Sequence, residues 1–318
     1  IDRGADINAR NKCGCTPLHL AIKTAPNIAY PSLKLLLENG ADIDAQDRDG
    51  RTCLHIAAMR AEYPLMSQLL HLGANVDIAD NDGKRPIHVL AELGLSDDYH
   101  WAFVELIRAL WGVIDVHDTH IRTHLHYATR AGVRAPYIGN EWDNSRACAK
   151  LLVTSGAVID KRDNELRTPL HYATRRGLGN IEIARYLMGR GASARGDREL
   201  PWAPICLAAI HGPLSMVRLL IDNGADIDHG QGIGNMAAIH AAAAVGYVSI
   251  VRLLVEHGAR VNDVLDGGWT ALHLAAMADH TIHVLLDAGA DLNAETEEGW
   301  KPIDVALDRK IRRLLYQQ

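Results

Sequence analysis

Residues 168–173 read Thr168-Pro169-Leu170-His171-Tyr172-Ala173, and the fold is decided by the fact that this phrase returns along the chain. Variants of it begin at Thr16, Thr52, Arg85, Thr123, Ala203, Ala237, Thr270 and Lys301. In chain order the nine starts are separated by 36, 33, 38, 45, 35, 34, 33 and 31 residues, a period of 33 with a few insertions. Each residue type suits a helix start. A Thr hydroxyl can serve a free helix-terminal N–H, and Pro at the first helical position lacks the N–H that would go unpaired. Leu and the following Ala face inward, where Ala lets two short helices approach closely. Ahead of most copies stands a second phrase, Gly40-Ala41-Asp42-Ile43-Asp44-Ala45 or Gly289-Ala290-Asp291-Leu292-Asn293-Ala294, after an apolar helix ending such as Leu35-Leu36-Leu37. Its Gly ends the helix in the left-handed conformation that a Cβ disfavours. Between the phrases, stretches such as Asp47-Arg48-Asp49-Gly50 read as turns. One such unit cannot bury its apolar face alone, so neighbours stack into a solenoid.

Composition supports this reading. A chain of 318 residues would ordinarily suggest about two domains of ~100–200 residues, but the repeat replaces that prior with one elongated domain over 1–318. Hydrophobic residues make up 48% while Phe occurs once, so the apolar content is mostly Ala, Leu, Ile and Val, suited to close helix contacts. The net charge of −6 argues against a sequence-independent grip on nucleic acid, which needs a basic excess to displace counterions. No apolar run reaches the ~18–20 residues of a membrane span, and no leader pattern is visible. Five Cys, an odd number without paired CxxC motifs, favour an intracellular setting, cytoplasmic or nuclear, over secretion.

These phrases resemble the ankyrin repeat, over essentially the whole chain. The resemblance implies an all-α solenoid of about nine repeats with β-turn fingers and a concave binding groove, and a non-enzymatic function as a scaffold or adaptor that binds a protein or peptide. It also implies that the repeat His, here His19, His55, His88, His126, His171, His240 and His273, is structural, hydrogen-bonding around the finger and to its neighbour. Finger Asn residues, here Asn8, Asn262 and Asn293, are hydroxylation substrates in some members. Residues 1–9 begin inside a finger, so the natural chain is expected to continue upstream, and residues 303–316 are expected to form a polar-faced capping helix.

Departures from the repeat carry the specific information, because the matches only build the scaffold. About 12 extra residues fall near 133–144, with Pro136, Tyr137, Gly139 and Trp142 among them, and a smaller insertion falls near 95–101; each reads either as a binding element or as a plain surface insertion. Where other fingers have Gly, the register places Ile121, Leu166 and Pro201, so those fingers are expected to turn differently, and Trp111 stands where Gly ends other helices. The residue before each phrase, which by the resemblance faces the groove from the base of the finger, runs Cys15, Arg51, Lys84, Arg122, Arg167, Trp202, Met236, Trp269, Trp300. Exposed positions late in the first helix include Lys23, Met59, Arg60, Arg130, Arg175, Arg176, Ile210, His211, Met277 and Ala278. Between 122 and 198 there are 14 Lys or Arg and 7 Asp or Glu. Trp and Arg dominate binding hot spots. Arg122, Arg130, Arg167, Arg175 and Arg176 are therefore expected to meet carboxylates of an acidic segment and Trp202, Met236, Trp269 and Trp300 to take apolar anchors, with His211 also expected to touch the partner. The opposing reading lays Trp202, Trp269 and Trp300 flat on their own fingers.

Chemistry is thinly represented. Asp115, His117, Asp118, His120 and His124 cluster in the fourth finger, and His117 and His120 are spaced to hold a zinc, but Cys ligands are missing and the register explains Asp118 as the usual finger Asp. Gly230-Gln231-Gly232-Ile233-Gly234 reads as an extended turn rather than a phosphate cradle, and Cys13-Gly14-Cys15 as solvent-facing thiols. No cofactor is expected. An enzyme or small-ligand site in the irregular repeats near 112–145 stays open as the alternative, and a spacer without a ligand as a third reading, against which the row of Trp argues.

Overall fold

A phrase that starts a short helix every 33 residues or so should build a ladder of helices, and it does. The computed structural model describes residues 4–24, 26–93, 114–130, 141–175, 180–195, 202–228, 235–278 and 281–317, with backbone alone at 26–30, 141–145, 180 and 317. The insertions at 95–101 and 133–140, Trp111, Pro201 and the 230–234 glycines lie outside these residues, as does Arg176; of Trp142 only the backbone is described. The chain divides into two compact units, Ile1–Asn164 and Glu165–Gln318.

The N-terminal unit holds α1 (Pro17–Thr24), α2 (Pro26–Glu38), α3 (Cys53–Met59), α4 (Tyr63–His71), α5 (Pro86–Leu93), α6 (His124–Arg130) and α7 (Glu141–Thr154). First helices pack on one another in the order α1, α3, α5, α6, while α2, α4 and α7 pack against α1, α3 and α6. The C-terminal unit repeats the plan in α8 (Pro169–Ala173), α9 (Asn180–Gly189), α10 (Pro204–His211), α11 (Leu214–Asp222), α12 (Ala238–Val245), α13 (Val248–Glu256), α14 (Ala271–Ala278), α15 (Ile282–Asp287), α16 (Pro302–Val305) and α17 (Arg309–Gln317). Here α8, α10, α12, α14 and α16 form one layer and α9, α11, α13 and α15 the other. The core lies between layers. Ile250, Val251, Leu253 and Leu254 of α13 are buried, as are the small Ala241, Ala242 and Ala243 of α12, the helix on which α13 packs, and each buried Leu contributes about 1.5–3 kcal/mol. Second helices end as the sequence implies: Gly258 sits at φ +86°, and Ala259 N–H returns to Leu254 carbonyl at 3.0 Å.

Between the helix pairs the chain makes hydrogen-bonded turns. Among the described residues there is no strand, only two isolated antiparallel bridges, His117 to Thr123 and Val264 to Thr270. In one turn Asp47 N–H reaches Arg51 carbonyl at 2.9 Å and Gly50 N–H reaches Asp47 carbonyl at 3.0 Å. The tips touch their successors: Arg48 N–H donates to Cys13 carbonyl, Asn81 to Asp49, Thr119 to Asp82 and Asn164 to His120, all at 2.9–3.1 Å.

Two expectations are corrected here. Ile121 and Leu166 do not change the turn; both adopt φ +62°, close to the +74° to +79° of Gly14, Gly50, Gly83, Gly268 and Gly299. The surrounding hydrogen bonds, Asp118 carbonyl to Ile121 N–H at 3.0 Å and His120 carbonyl to Asn164 N–H at 2.9 Å, hold Ile121 in the glycine region, and each such side-chain-bearing residue costs about 1–2 kcal/mol. Residues 303–316 do not form one capping helix. The chain breaks between α16 and α17, because Ala306 is extended at ψ 120° and Asp308 starts α17 afresh by accepting Lys310 N–H at 2.7 Å. Helix α17 nonetheless buries Ile311 and Leu315 while Arg309, Lys310, Arg312 and Arg313 face solvent.

Candidate binding surface

The repeat His is a bracket between repeats. Its Nδ1 accepts the backbone N–H that opens its own phrase, at 3.0–3.3 Å from Thr16, Thr52, Arg85, Thr123, Thr168, Ala237 and Thr270. In five of these repeats the Thr hydroxyl also lies 2.8–2.9 Å from Nδ1. An accepting Nδ1 puts the proton on Nε2. That N–H donates to the carbonyl of the residue before the next phrase: His19 to Arg51 at 3.1 Å, His55 to Lys84 at 2.9 Å, His171 to Trp202 at 2.9 Å and His273 to Trp300 at 3.0 Å. Cys206, in the place of His, does the same for Met236 at 3.4 Å. His88 and His240 reach Val116 and Asp263 instead. Burial holds His19, His55, His88 and His240 below the usual imidazole value, so these rings are neutral.

Thus Arg51, Lys84, Trp202, Met236 and Trp300 have their backbone carbonyls clamped by the preceding repeat, while that of Trp269 is held within its own finger by Leu265 N–H at 2.8 Å; the side chains of the row differ between units. In the N-terminal unit the cations of the row each meet an acid. Arg51 lies 3.1 Å from Asp49 and Lys84 3.5 Å from Glu92. Arg122 lies 2.6 Å from the fully buried carboxylate of Asp118 and stacks 5.1 Å over the Tyr127 ring. Asp118 also accepts the Tyr127 hydroxyl at 2.6 Å and the N–H groups of His120 and Arg122 at 2.9 Å. Although burial raises it, these bonds hold its carboxyl below the usual value. Arg130 is exposed in the last turn of α6.

In the C-terminal unit Arg167 meets Glu165 at 2.7 Å and stacks 4.9 Å over Tyr172, and Arg175 is exposed beyond α8. Trp202, Met236 and Trp269 are half-buried and Trp300 is 52% exposed. Trp269 leans over its own finger, since a Cβ on Gly267 would meet the indole at 3.4 Å, and its ring lies 5.6 Å from that of His273. His211 closes α10 and is exposed, as is Met277 on α14.

The fourth-finger cluster is part of the stack. His124 is buried, its ring 4.1 Å from that of His88, and its Nδ1 bonds Ile114 carbonyl at 2.8 Å. Burial pushes it down to about 4. Asp115 accepts Val158 N–H at 3.0 Å, one of a set of links to the next repeat that sequence reasoning missed: Asn8 to Asp42, Asp44 to Asn75, Asp228 to Arg260 and Asn262 to Asp291, at 2.8–2.9 Å. The signal was the Asp or Asn recurring two residues after the Gly-Ala-Asp position. Among the described residues no group of three or more His, Cys, Asp or Glu is placed to hold a metal ion. Cys13 is exposed, but Cys15, expected beside it in solvent, is buried 3.1 Å from the Lys23 ammonium. Burial pushes Cys53 and Cys206 up to about 12, leaving them as thiols. No helix among the described residues is long and apolar enough to cross a membrane.

Comparison with known proteins agrees with this architecture. The model of the family "Ankyrin repeats (3 copies)" matches in overlapping stretches, residues 1–80, 24–107, 105–196, 139–231, 205–296 and 239–317. A curated relative, the mitochondrial disaggregase of Bos taurus, is 29% identical over 143 residues, covering 43% of this chain. The match spans 21% of that relative's own length. With helix pairs stacked in repeats, His brackets joining them and a family model matching from end to end, the chain belongs to the ankyrin-repeat family.

Proposed function

We propose that this chain is a recognition module that binds a protein or peptide non-covalently, as a scaffold, adaptor or regulatory arm of a longer protein. In this reading its repeats form one domain whose β-turn fingers and first helices present a concave groove. The observation that carries it is the row Trp202, Met236, Trp269 and Trp300: side chains left partly or largely open to solvent, over carbonyls that the preceding repeat clamps at Trp202, Met236 and Trp300. A rigid base with an uncovered aromatic side chain binds at little ordering cost. Arg130 and Arg175, exposed at the ends of first helices, extend the surface toward acidic groups, while Arg122 and Arg167 are already paired within the chain with Asp118 and Glu165. The disaggregase activity named for the relative is not carried over, because about a fifth of that protein is matched.

The test is affinity capture comparing the wild-type chain with a Trp202→Ala, Trp269→Ala, Trp300→Ala variant of equal melting temperature. Partners held by the wild type and lost from the variant support this reading. Partners retained equally would move the site off this row.

A further inference from the structure

Between residues 261 and 300 the chain carries eight Asp or Glu and no Lys or Arg, against a net charge of −6 for the whole molecule. This stretch includes Trp269, Met277 and Trp300. Asp263 and Glu295 have cations of the chain itself, Arg260 at 3.3 Å and Lys301 at 3.7 Å. Asp266, Glu297 and Glu298 are exposed on the two finger tips, and none of them is within ion-pair distance of a Lys or Arg among the described residues. The fingers are joined, Glu297 N–H donating to Gly267 carbonyl at 2.9 Å. Trp269 lies over His273, whose Nε2 holds Trp300 carbonyl at 3.0 Å, and Met277 follows one turn further along α14 with 48% of its surface exposed.

Resting on the reading of the Trp row as a binding surface, we propose that its last two repeats take a basic segment of another protein, one in which Arg or Lys is interspersed with apolar residues. Charge complementarity selects this occupant. Uncompensated carboxylates at Asp266, Glu297 and Glu298 repel an acidic segment and receive guanidinium or ammonium heads. The cations' methylene stems cover Met277 and the indoles, and a guanidinium stacks on the face of Trp300, which is more exposed than Trp202 or Trp269. This end of the row therefore has the opposite charge preference to the Arg-bearing repeats before it.

Fluorescence anisotropy of short labelled peptides on the full chain tests this, using one that alternates Arg with Leu and versions with Gln or Glu in place of Arg. The Arg peptide is expected to bind, the Gln version to bind roughly tenfold more weakly and the Glu version not at all. Glu297→Lys with Glu298→Lys is expected to weaken the Arg peptide about tenfold, as is Trp300→Ala, with the melting temperature unchanged in both. Equal binding of the Arg and Gln peptides, lost only on Trp300→Ala, overturns the charge assignment and leaves the Trp row standing. Binding of the Arg peptide that survives Trp300→Ala unchanged contradicts both, and an Arg peptide that does not bind overturns the inference.

Discussion

Arg51 and Trp300 occupy the same place in the repeat, one in each unit, and the His of the repeat before holds each backbone carbonyl. Their side chains end in different circumstances. In the N-terminal unit Arg51, Lys84 and Arg122 turn back onto Asp49, Glu92 and Asp118, so the charge at this position is answered within the chain. In the C-terminal unit Arg167 turns onto Glu165 in the same way, whereas Trp202, Met236 and Trp269 are only half-buried and Trp300 remains half exposed. One scaffold position is thus internal stitching in the N-terminal unit and at Arg167, and open surface from Trp202 onward. Binding capacity follows from what a neighbouring side chain leaves uncovered more than from the residue type at the position.

The stitching breaks most severely at Asp118. Asp118→Ala leaves the Arg122 guanidinium and Tyr127 hydroxyl without their acceptor and is expected to cost about 3–5 kcal/mol in urea unfolding. A loss below about 1 kcal/mol would mean that Arg122 is only loosely held and that the two units differ less than stated. A comparable effect comes from pH. His19, His55, His88 and His124 of the N-terminal unit and His240 of the C-terminal one have folded-state values below their unfolded value of 6.5, with His124 at about 4. The unfolded chain therefore binds more protons, and stability is full above the unfolded value and falls as pH drops from about 6.5 toward 4. His124 alone contributes a loss of about 3 kcal/mol by the bottom of that window. Stability that stayed flat from pH 7 to pH 4 would contradict the neutral brackets.

Binding separates the units more gently. Trp300→Ala is expected to weaken a captured partner by about 2 kcal/mol, while Arg51→Ala, whose charge is already answered, changes it by less than about 1 kcal/mol. Isothermal titration reads both, and an inverted order breaks the comparison. The smallest effect is in the fingers. Ile121→Gly and Leu166→Gly relieve a left-handed backbone and are expected to stabilise by up to about 1 kcal/mol. Gly50→Ala should do the reverse, because its Cβ would come within 2.7 Å of Asn81 N. Thermal melts that show both kinds of change with the same sign would remove the steric account.

The helix ladder could be read from the sequence because it is encoded locally: Pro17, Pro169 and Pro302 each open a helix one residue after the phrase begins, and Gly258 closes one. What could not be read is set by partners far along the chain or by a neighbour's grip on the backbone. Nothing near Arg122 distinguishes a carboxylate it will keep from one it will seek. The glycine-like backbone of Ile121 is imposed by the turn and the next finger's bond to His120, not by its own preference. His88 and His124 meet only because consecutive first helices stack, 36 residues apart in sequence. The break at Ala306 lies in a segment whose charge pattern alone reads as one continuous helix.

Amide hydrogen exchange of the chain, free and with a captured partner, tests the difference between the units most directly. The account predicts new protection in the fingers and helix starts around 202–206, 265–273 and 296–302, with 47–55 and 80–88 unchanged. Protection confined to 47–55, 80–88 or 118–126 would place the working surface in the N-terminal unit and contradict it.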